Sequence, residues 1–487
     1  MPDLLLYRTL VWLDYRLAAV FAVGLPLVLL VWAAWKREQA LVRLMGIYWK
    51  VASLLLITVL LLTDNKPLGY LLAFLAQGLV VLSVWFWVDL NEELADLSQQ
   101  LRAAGQHSEA DLALVFCSTA YATDLQRLLP LLRSAIPSRH WIGCAGGGVV
   151  GTDAQGQPHE LEHQPGISVS LFQLPGSELQ LFHLEAGGLP DLDGPSQQWV
   201  DWVGAKPDDA HSMLLFIDPG CPAINDLISG LDYAYPQAAK VGGIAGTHNA
   251  SHGSLLLNDQ VVEGTVGCLI SGAWRIEPVV AQGCRPIGPV FEVEKAERNV
   301  VQRLSDGDHQ GTPVACLQAI LEELNPEERE LVRHSLFLGV AKSSFQLSSS
   351  DTPDDAAFLV RNLIGVDPRT GSVAVGERLR VGQRVQFQLR DANASRQEQR
   401  QLLSSQRRRQ PEPLAALLFA CLGRGEGLYG QPDGDVSACR EQFERVPVAG
   451  AFCNGEIGPV AGATHLHGYT ASWGFLVPNQ PADSPAS

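Results

Sequence analysis

The chain has 487 residues, enough for two or three domains. Its formal net charge of -17 argues against nucleic acid as a partner, because that contact needs clustered Lys and Arg. Nine scattered cysteines with no Cys-x-x-Cys pair argue against zinc and dithiol motifs, and suggest reduced thiols.

The chain opens on apolar sequence. Leu17 to Trp35 and Pro67 to Val88 contain no charged residue, and Leu44 to Thr63 contains only Lys50, near one end. A helix needs about 20 apolar residues to cross a bilayer, so residues 1–90 are expected to form three transmembrane helices. Trp32, Trp35, Tyr48, Trp49, Trp85 and Trp87 cluster near the span ends, where an aromatic belt places them. Lys36, Arg37 and Arg43 lie between the first two spans. The positive-inside rule then makes the protein multi-pass, with everything after Asp89 in the cytoplasm. No Asp, Glu or His sits at a span centre, so an anchor is favoured over a transporter. Residues 91–110 read as a polar helical linker.

From Asp111 a layout occurs three times: apolar strand, helix, strand, Gly-rich turn. The first runs from Ala113-Leu114-Val115-Phe116 through a helix over 124–136, with Leu125, Leu128, Leu129 and Leu132 on one face, to Cys144-Ala145-Gly146-Gly147-Gly148. The second runs from Met213-Leu214-Leu215-Phe216-Ile217 through a helix over 223–233 to Val241-Gly242-Gly243-Ile244-Ala245-Gly246. The third runs from Ala416-Leu417-Leu418-Phe419 through a helix over 436–443 to Cys453-Asn454-Gly455. Strand–helix–strand implies parallel crossovers, and the short strands predicted over 253–276 imply antiparallel neighbours. The expected fold is a mixed α/β (α+β) layered domain with two related halves, over 111–270 and 271–477, and a disordered tail over 478–487.

Gly turns at strand ends let a ligand approach backbone closely, which makes Cys144, Gly146, Gly147, Gly242 and Gly243 candidates. The alternative for each is tight packing of a strand end. Arg285, Arg361 and Arg424 are candidate clamps for an anionic group, with Asn362 beside the second. Arg285 has internal ion pairing with one of the many acidic groups as its alternative. The turn Phe452-Cys453-Asn454-Gly455-Glu456-Ile457-Gly458-Pro459 is the densest polar turn, followed by His465 and His467. Asn454 and Glu456 can meet an amine or hydroxyl. Cys453 with His467 can instead form the thiol and base of an enzyme. Arg407-Arg408-Arg409 reads as a solvated helix end or loop. No Walker motif or dinucleotide fingerprint is present, so no cofactor is expected.

At these motifs the chain resembles the FIST family, named for F-box and intracellular signal transduction proteins. The resemblance runs from about Asp111 to Leu476. It is carried by Ala110 to Phe116, Ile142 to Gly148, Lys240-Val241-Gly242-Gly243, Val280 to Gly288, Arg361-Asn362-Leu363, Cys453 to Pro459 and His467-Gly468-Tyr469-Thr470. It implies a sensory domain for a small ligand such as an amino acid, with an unidentified signalling protein as output partner. Two motifs depart from the family's pattern. Cys421-Leu422-Gly423-Arg424-Gly425 stands where members often carry Cys-Asn-Gly-Arg-Gly, and Ala461-Gly462-Ala463-Thr464 where they often carry Gly-Gly-Arg-Thr. The first ninety residues resemble, more loosely, small membrane proteins. The expected whole is a membrane-anchored sensor of an amino acid or small carboxylate, with a thiol enzyme or a ligand-free scaffold as alternatives.

Overall fold

A computed structural model describes residues 109–185, 187–248, 252–341 and 358–479, besides Val28, Leu97, Gln99 and Gln100. Residues 1–103 and 104–487 are separate compact units, and the sheets belong to the second. The three expected spans and most of the expected linker lie outside the described residues, as do residues 480–487 of the expected tail. Among the described residues no helix is long and apolar enough to cross a membrane.

The first strand–helix–strand unit comprises β1 (Ala110–Ser118), α1 (Leu125–Ala135), β2 (Ser138–Gly146), β3 (Gly148–Thr152), β4 (Pro158–Glu162) and β5 (Ile167–Phe172). β6 (Ser177–Leu184) and α2 (Ser196–Val203) lead to the second unit. That unit comprises β7 (Ser212–Ile217), α3 (Ile224–Ala234), β8 (Ala239–Ile244), β9 (Leu255–Leu257), β10 (Gln260–Val262) and β11 (Thr265–Gly272). After β12 (Trp274–Ala281) the chain makes β13 (Cys284–Glu297), β14 (Val300–Ser305), β15 (Gln310–Gly311), α4 (Pro313–Glu323), α5 (Pro326–Ser335) and β16 (Leu336–Ala341). There follow β17 (Phe358–Asp367), β18 (Ser372–Val375), β19 (Arg384–Arg390) and α6 (Ala392–Arg409). The third unit comprises β20 (Ala415–Cys421), α7 (Gly425–Tyr429), α8 (Gly434–Gln442), β21 (Val448–Cys453), β22 (Glu456–Val460), β23 (Ala463–His467) and β24 (Ala471–Pro478).

The expected parallel pairs form: β1 with β2, β7 with β8, and β20 with β21. In each pair a glycine faces the middle of the first strand, as Gly143 opposite Val115, Gly242 opposite Leu215 and Gly450 opposite Leu418. A Cβ at any of the three would lie 1.8 Å from the opposing carbonyl oxygen. These glycines therefore permit a backbone pinch that no side chain could share. One residue further along the first strands, Phe116, Phe216 and Phe419 meet, with ring centroids 5.5, 5.6 and 6.0 Å apart. They join the three units in one apolar core.

The units also trade hairpins. β9–β10 of unit two pairs onto β2 of unit one, β22–β23 of unit three onto β8 of unit two, and β3–β4 of unit one onto β21 of unit three. The sheets run β10-β9-β2-β1-β5, β23-β22-β8-β7-β11-β6 and β12-β24-β20-β21-β3-β4. A fourth sheet, β13-β19-β16-β17-β18-β14-β15, closes on itself because β13 also pairs with β14. Its interior is filled by Ile287, Phe291, Val293, Val340, Val385 and Phe387, so it is a packed barrel and not a container. The mixed α/β expectation holds, while the related parts number three, with a barrel inserted before the last. The exchanged hairpins explain the difference. Each sheet is completed by sequence that lies far away, and local pattern carries no trace of that pairing.

Candidate functional site

The exchanged hairpin β22–β23 lies across α3, and beside it opens a cavity of about 1330 Å³. One wall is the polar side of α3: Asn225, Asp226, Ser229 and Asp232. These residues fall at intervals of one, three and three, which places them along one side of a helix. The opposite wall comes from the barrel: Arg361 and Asn362 of β17, then Glu377 and Arg378 after β18. The floor is built by the third unit, from Cys421-Leu422-Gly423, Asn454-Gly455 and β23 through Tyr469.

The charged walls are organised. Asp232 accepts from the Thr464 N–H at 2.5 Å and the Thr464 hydroxyl at 2.7 Å, and pairs with Lys240 at 2.8 Å. Lys240 is wholly buried and also donates to the Tyr235 and Ala238 carbonyls; burial lowers its pKa against the pull of Asp232. Arg361 pairs with Glu377 at 2.5 Å and donates to the Leu466 carbonyl at 3.0 Å. Tyr469 stands at φ 65° with its ring 4.4 Å from Phe337 and beneath the Arg390 guanidinium. The wall of α3 is thus acidic and the barrel wall carries two arginines.

Behind the floor is Glu456, fully buried at the start of β22. Its Oε2 accepts the Thr470 N–H at 3.1 Å, while Oε1 has no hydrogen-bond partner among the described residues. Burial raises its pKa well above the ordinary carboxylate value, which favours the protonated acid. The Cys421 thiol lies beside it, and burial and this neighbour push that thiol up to about 12. The three units supply an internal comparison. Glu456 pairs with Gly243, Leu255 with Cys144 and Val149 with Ala451, which are equivalent positions. Two of the three are buried aliphatic side chains. The fold therefore asks for an apolar residue here, and unit three has a half-satisfied carboxyl in its place.

A FIST N domain profile matches residues 111–306 and a FIST C domain profile residues 314–459. An uncharacterized protein of Mycobacterium tuberculosis is 33% identical over 399 residues, 80% of this chain and 97% of that one. One of Mycobacterium bovis is 32% identical over 393 residues, 80% of this chain and 96% of that one. The chain belongs to the FIST family. A profile described as a protein of unknown function, DUF3177, matches residues 8–124, ahead of and into the first FIST strand. Among solved structures the FIST part is similar to a chorismatase at 10% identity and a TM-score of 0.26, over 77% of this chain and 95% of that one. It is similar to a cyanuric acid hydrolase at 11% identity and 0.23, over 78% and 94%. Neither score is high enough to carry an argument about fold or chemistry.

Within the FIST structure the expected site residues separate. Arg361, Asn362, Asn454 and His467 line the cavity, with Glu456 behind the floor. Arg424 does not. It is fully buried, holds both oxygens of Asp435 at 2.7 and 2.8 Å, and donates to Ser395, Tyr429 and the Tyr469 carbonyl. Its donors are spent on α6 and the third unit, so it is a structural ion pair and not a clamp for ligand. Arg285 pairs with Glu328 at 2.7 Å and Asp391 at 3.1 Å away from the cavity. Gly242 serves the backbone pinch, and Gly243 leaves room for Cys453, whose Sγ would lie 2.5 Å from a Cβ there. Gly146 faces Ala451, Cys144 is buried in β2, and Gly147 abuts Leu422, which does reach the cavity.

Cys453 is fully buried, and burial raises its pKa well above that of a free thiol. His467 Nε2 meets the Gly458 carbonyl at 2.9 Å. A buried neutral thiol is not a nucleophile, which removes the physical basis of a Cys453–His467 enzyme. The residues that sequence reasoning missed are the α3 wall, Glu377, Arg378, Cys421, Thr464 and Tyr469. The run Asn225, Asp226, Ser229, Asp232 was visible as one polar side of a helix. Such sides ordinarily face water, and only the exchanged hairpin encloses this one.

Proposed function

We propose that this FIST protein is a membrane-anchored sensor whose cavity between α3, the barrel and β23 binds a small ligand. The observation that supports it is Glu456, a buried ionisable group beneath a large polar cavity, where the other two units carry Leu255 and Val149. A carboxyl that the fold does not need, buried directly behind the lining residue Cys421, supports a binding site there. Opposed charges, Asp226 on one wall with Arg361 and Arg378 on the other, suit a ligand carrying both an amine and a carboxylate. The anchor rests on the uncharged stretches Leu17 to Trp35 and Pro67 to Val88, and the cytoplasmic side on Lys36, Arg37 and Arg43. Output passes to a signalling partner, since the sequence carries no kinase or cyclase motif of its own.

A thermal-shift screen of the full chain in detergent tests the reading. A ligand present at a hundred times its dissociation constant stabilises by about 2.7 kcal/mol. A saturable shift that Glu456→Leu removes supports the site. A ligand whose shift survives Glu456→Leu and Arg378→Ala binds elsewhere and overturns it.

A further inference from the structure

The cavity is larger than the ~300–1,000 Å³ that pockets for drug-sized ligands occupy, and far larger than a single amino acid needs. One of its walls is an edge strand. Among the described residues β23 ends its sheet and pairs only with β22. In that pairing Thr464 faces Pro459, which has no N–H to give. The Thr464–Pro459 pair is therefore a non-hydrogen-bonded one, and by alternation so is Leu466–Ile457. The backbone groups of Thr464 and Leu466 consequently point outward.

Two of these four groups are covered by side chains. Asp232 accepts the Thr464 N–H, and Arg361 donates to the Leu466 carbonyl at 3.0 Å. The Thr464 carbonyl and the Leu466 N–H lie between them, on the outer edge of residues that line the cavity. They stand where one residue of a parallel strand, lying opposite His465, presents its own C=O and N–H. β17, the barrel strand that reaches the same cavity, offers no such edge. The Gln282 amide takes the Val360 N–H at 3.2 Å and the Phe358 carbonyl at 2.7 Å, and Gly376 donates to the Asn362 carbonyl at 2.8 Å.

We propose that the ligand is a short extended peptide with both termini free, which adds as a strand parallel to β23. The inference rests on the reading that this cavity is the ligand site, and goes beyond it in naming the class. Polarity supports the direction. A parallel peptide points its amino end toward the Thr464 side, where Asp232 of α3 lies. It points its carboxylate toward the Leu466 side, where Arg361 lies, itself paired with Glu377. Asp232 and Arg361 already occupy the flanking edge groups, so pairing is confined to one central residue. That limits the ligand to about three to five residues at roughly 3.3 Å each.

The test uses the full chain in detergent and a pool of unmodified tripeptides, with the twenty free amino acids and small carboxylates in parallel. A tripeptide hit is then remade with its central amide N-methylated, and separately with its amine acetylated. We expect the methyl group, which removes the N–H meant for Thr464, to weaken binding at least tenfold. Acetylation should weaken it as well. Full affinity in the N-methylated peptide overturns the strand pairing. Shifts by amino acids or carboxylates with none by tripeptides overturn the peptide and leave the sensor reading standing. No shift by any of the three panels overturns both.

Discussion

Replacing Glu456 by Gln isolates a buried carboxyl that stands where the other two units carry aliphatic side chains. The folded protein holds the proton on this carboxyl, because burial raises its pKa well above 4.5. The unfolded chain gives that proton up near pH 4.5. Stability is thus fully present below about pH 4.5 and is lost as pH rises toward the folded pKa. Within that window the folded state binds one more proton than the unfolded, so the loss approaches ~1.4 kcal/mol per pH unit. Gln keeps an acceptor for the Thr470 N–H and cannot ionise. The variant should match the wild type near pH 4.5 and exceed it by a margin that grows as pH rises through that window. At roughly 0.8 kcal/mol per degree for a folded part of this size, each ~1.4 kcal/mol of that margin is a rise of about 2 °C in Tm. Melting curves of both proteins from pH 4.5 to 7.5 give the difference directly. A variant whose Tm lies several degrees lower at every pH, with an unchanged slope, would show that Glu456 is a structural acid. Glu456→Leu then separates fold from function. It strands the Thr470 N–H, at a cost of about 1–3 kcal/mol, and removes a half-satisfied carboxyl of similar burial cost. Its Tm at neutral pH should lie within a few degrees of wild type while ligand stabilisation disappears.

Other positions give sharp outcomes. Arg424→Ala leaves Asp435 buried without its partner and should cost about 3–5 kcal/mol in a denaturant melt. The double variant Arg424→Met, Asp435→Leu should recover much of that loss, and a stable single variant would refute the structural role. Iodoacetamide at neutral pH should leave Cys453 unmodified in the native protein and label it only after denaturation, read by peptide mass spectrometry. The hairpin exchange predicts that residues 109–281, expressed alone, fail to melt cooperatively, because one sheet lacks β22 and β23 and the strands β3, β4 and β12 lack β21 and β24, whereas 282–479 keeps its complete barrel. Recovery of a cooperative transition on adding 282–479 would support the exchange, and a folded isolated 109–281 would contradict it.

Local elements were legible because each writes its own periodicity. Leu125, Leu128, Leu129 and Leu132 recur at helical spacing and are the buried face of α1. Met213 to Ile217 is an unbroken apolar run and is the central strand β7, covered on both faces. Gly242 and Gly450 were visible as special but not for their cause. A glycine that admits a ligand and one that admits an opposing carbonyl look alike in sequence. Arg424 shows the same limit for charge. An arginine between two glycines fits a ligand clamp as well as a buried pair, and its partner Asp435 is eleven residues away around a turn that local pattern does not resolve. The cavity was least legible of all, because α3 and β23 are brought together by the exchanged hairpin.

The repetition that hid the topology also supplies a control. Three units built on one register let each position be compared with two others in the same chain, under the same packing demands. Lys240 stands where Trp141 and Val448 stand in the other parallel pairs, and Glu456 where Leu255 and Val149 stand. Both departures are buried ionisable groups, and burial of such groups costs free energy that the neighbouring units do not spend. Lys240 recovers its cost through Asp232 and two carbonyls, and so fixes the end of α3 against the cavity wall. Glu456 recovers only part, since Oε1 has no partner among the described residues. That deficit lies behind Cys421, a lining residue of the cavity, whose edge strand β23 carries the Leu466 N–H and the Thr464 carbonyl. Binding energy is largest where the empty site is least satisfied, which places the ligand's polar groups on that floor and its length along that edge.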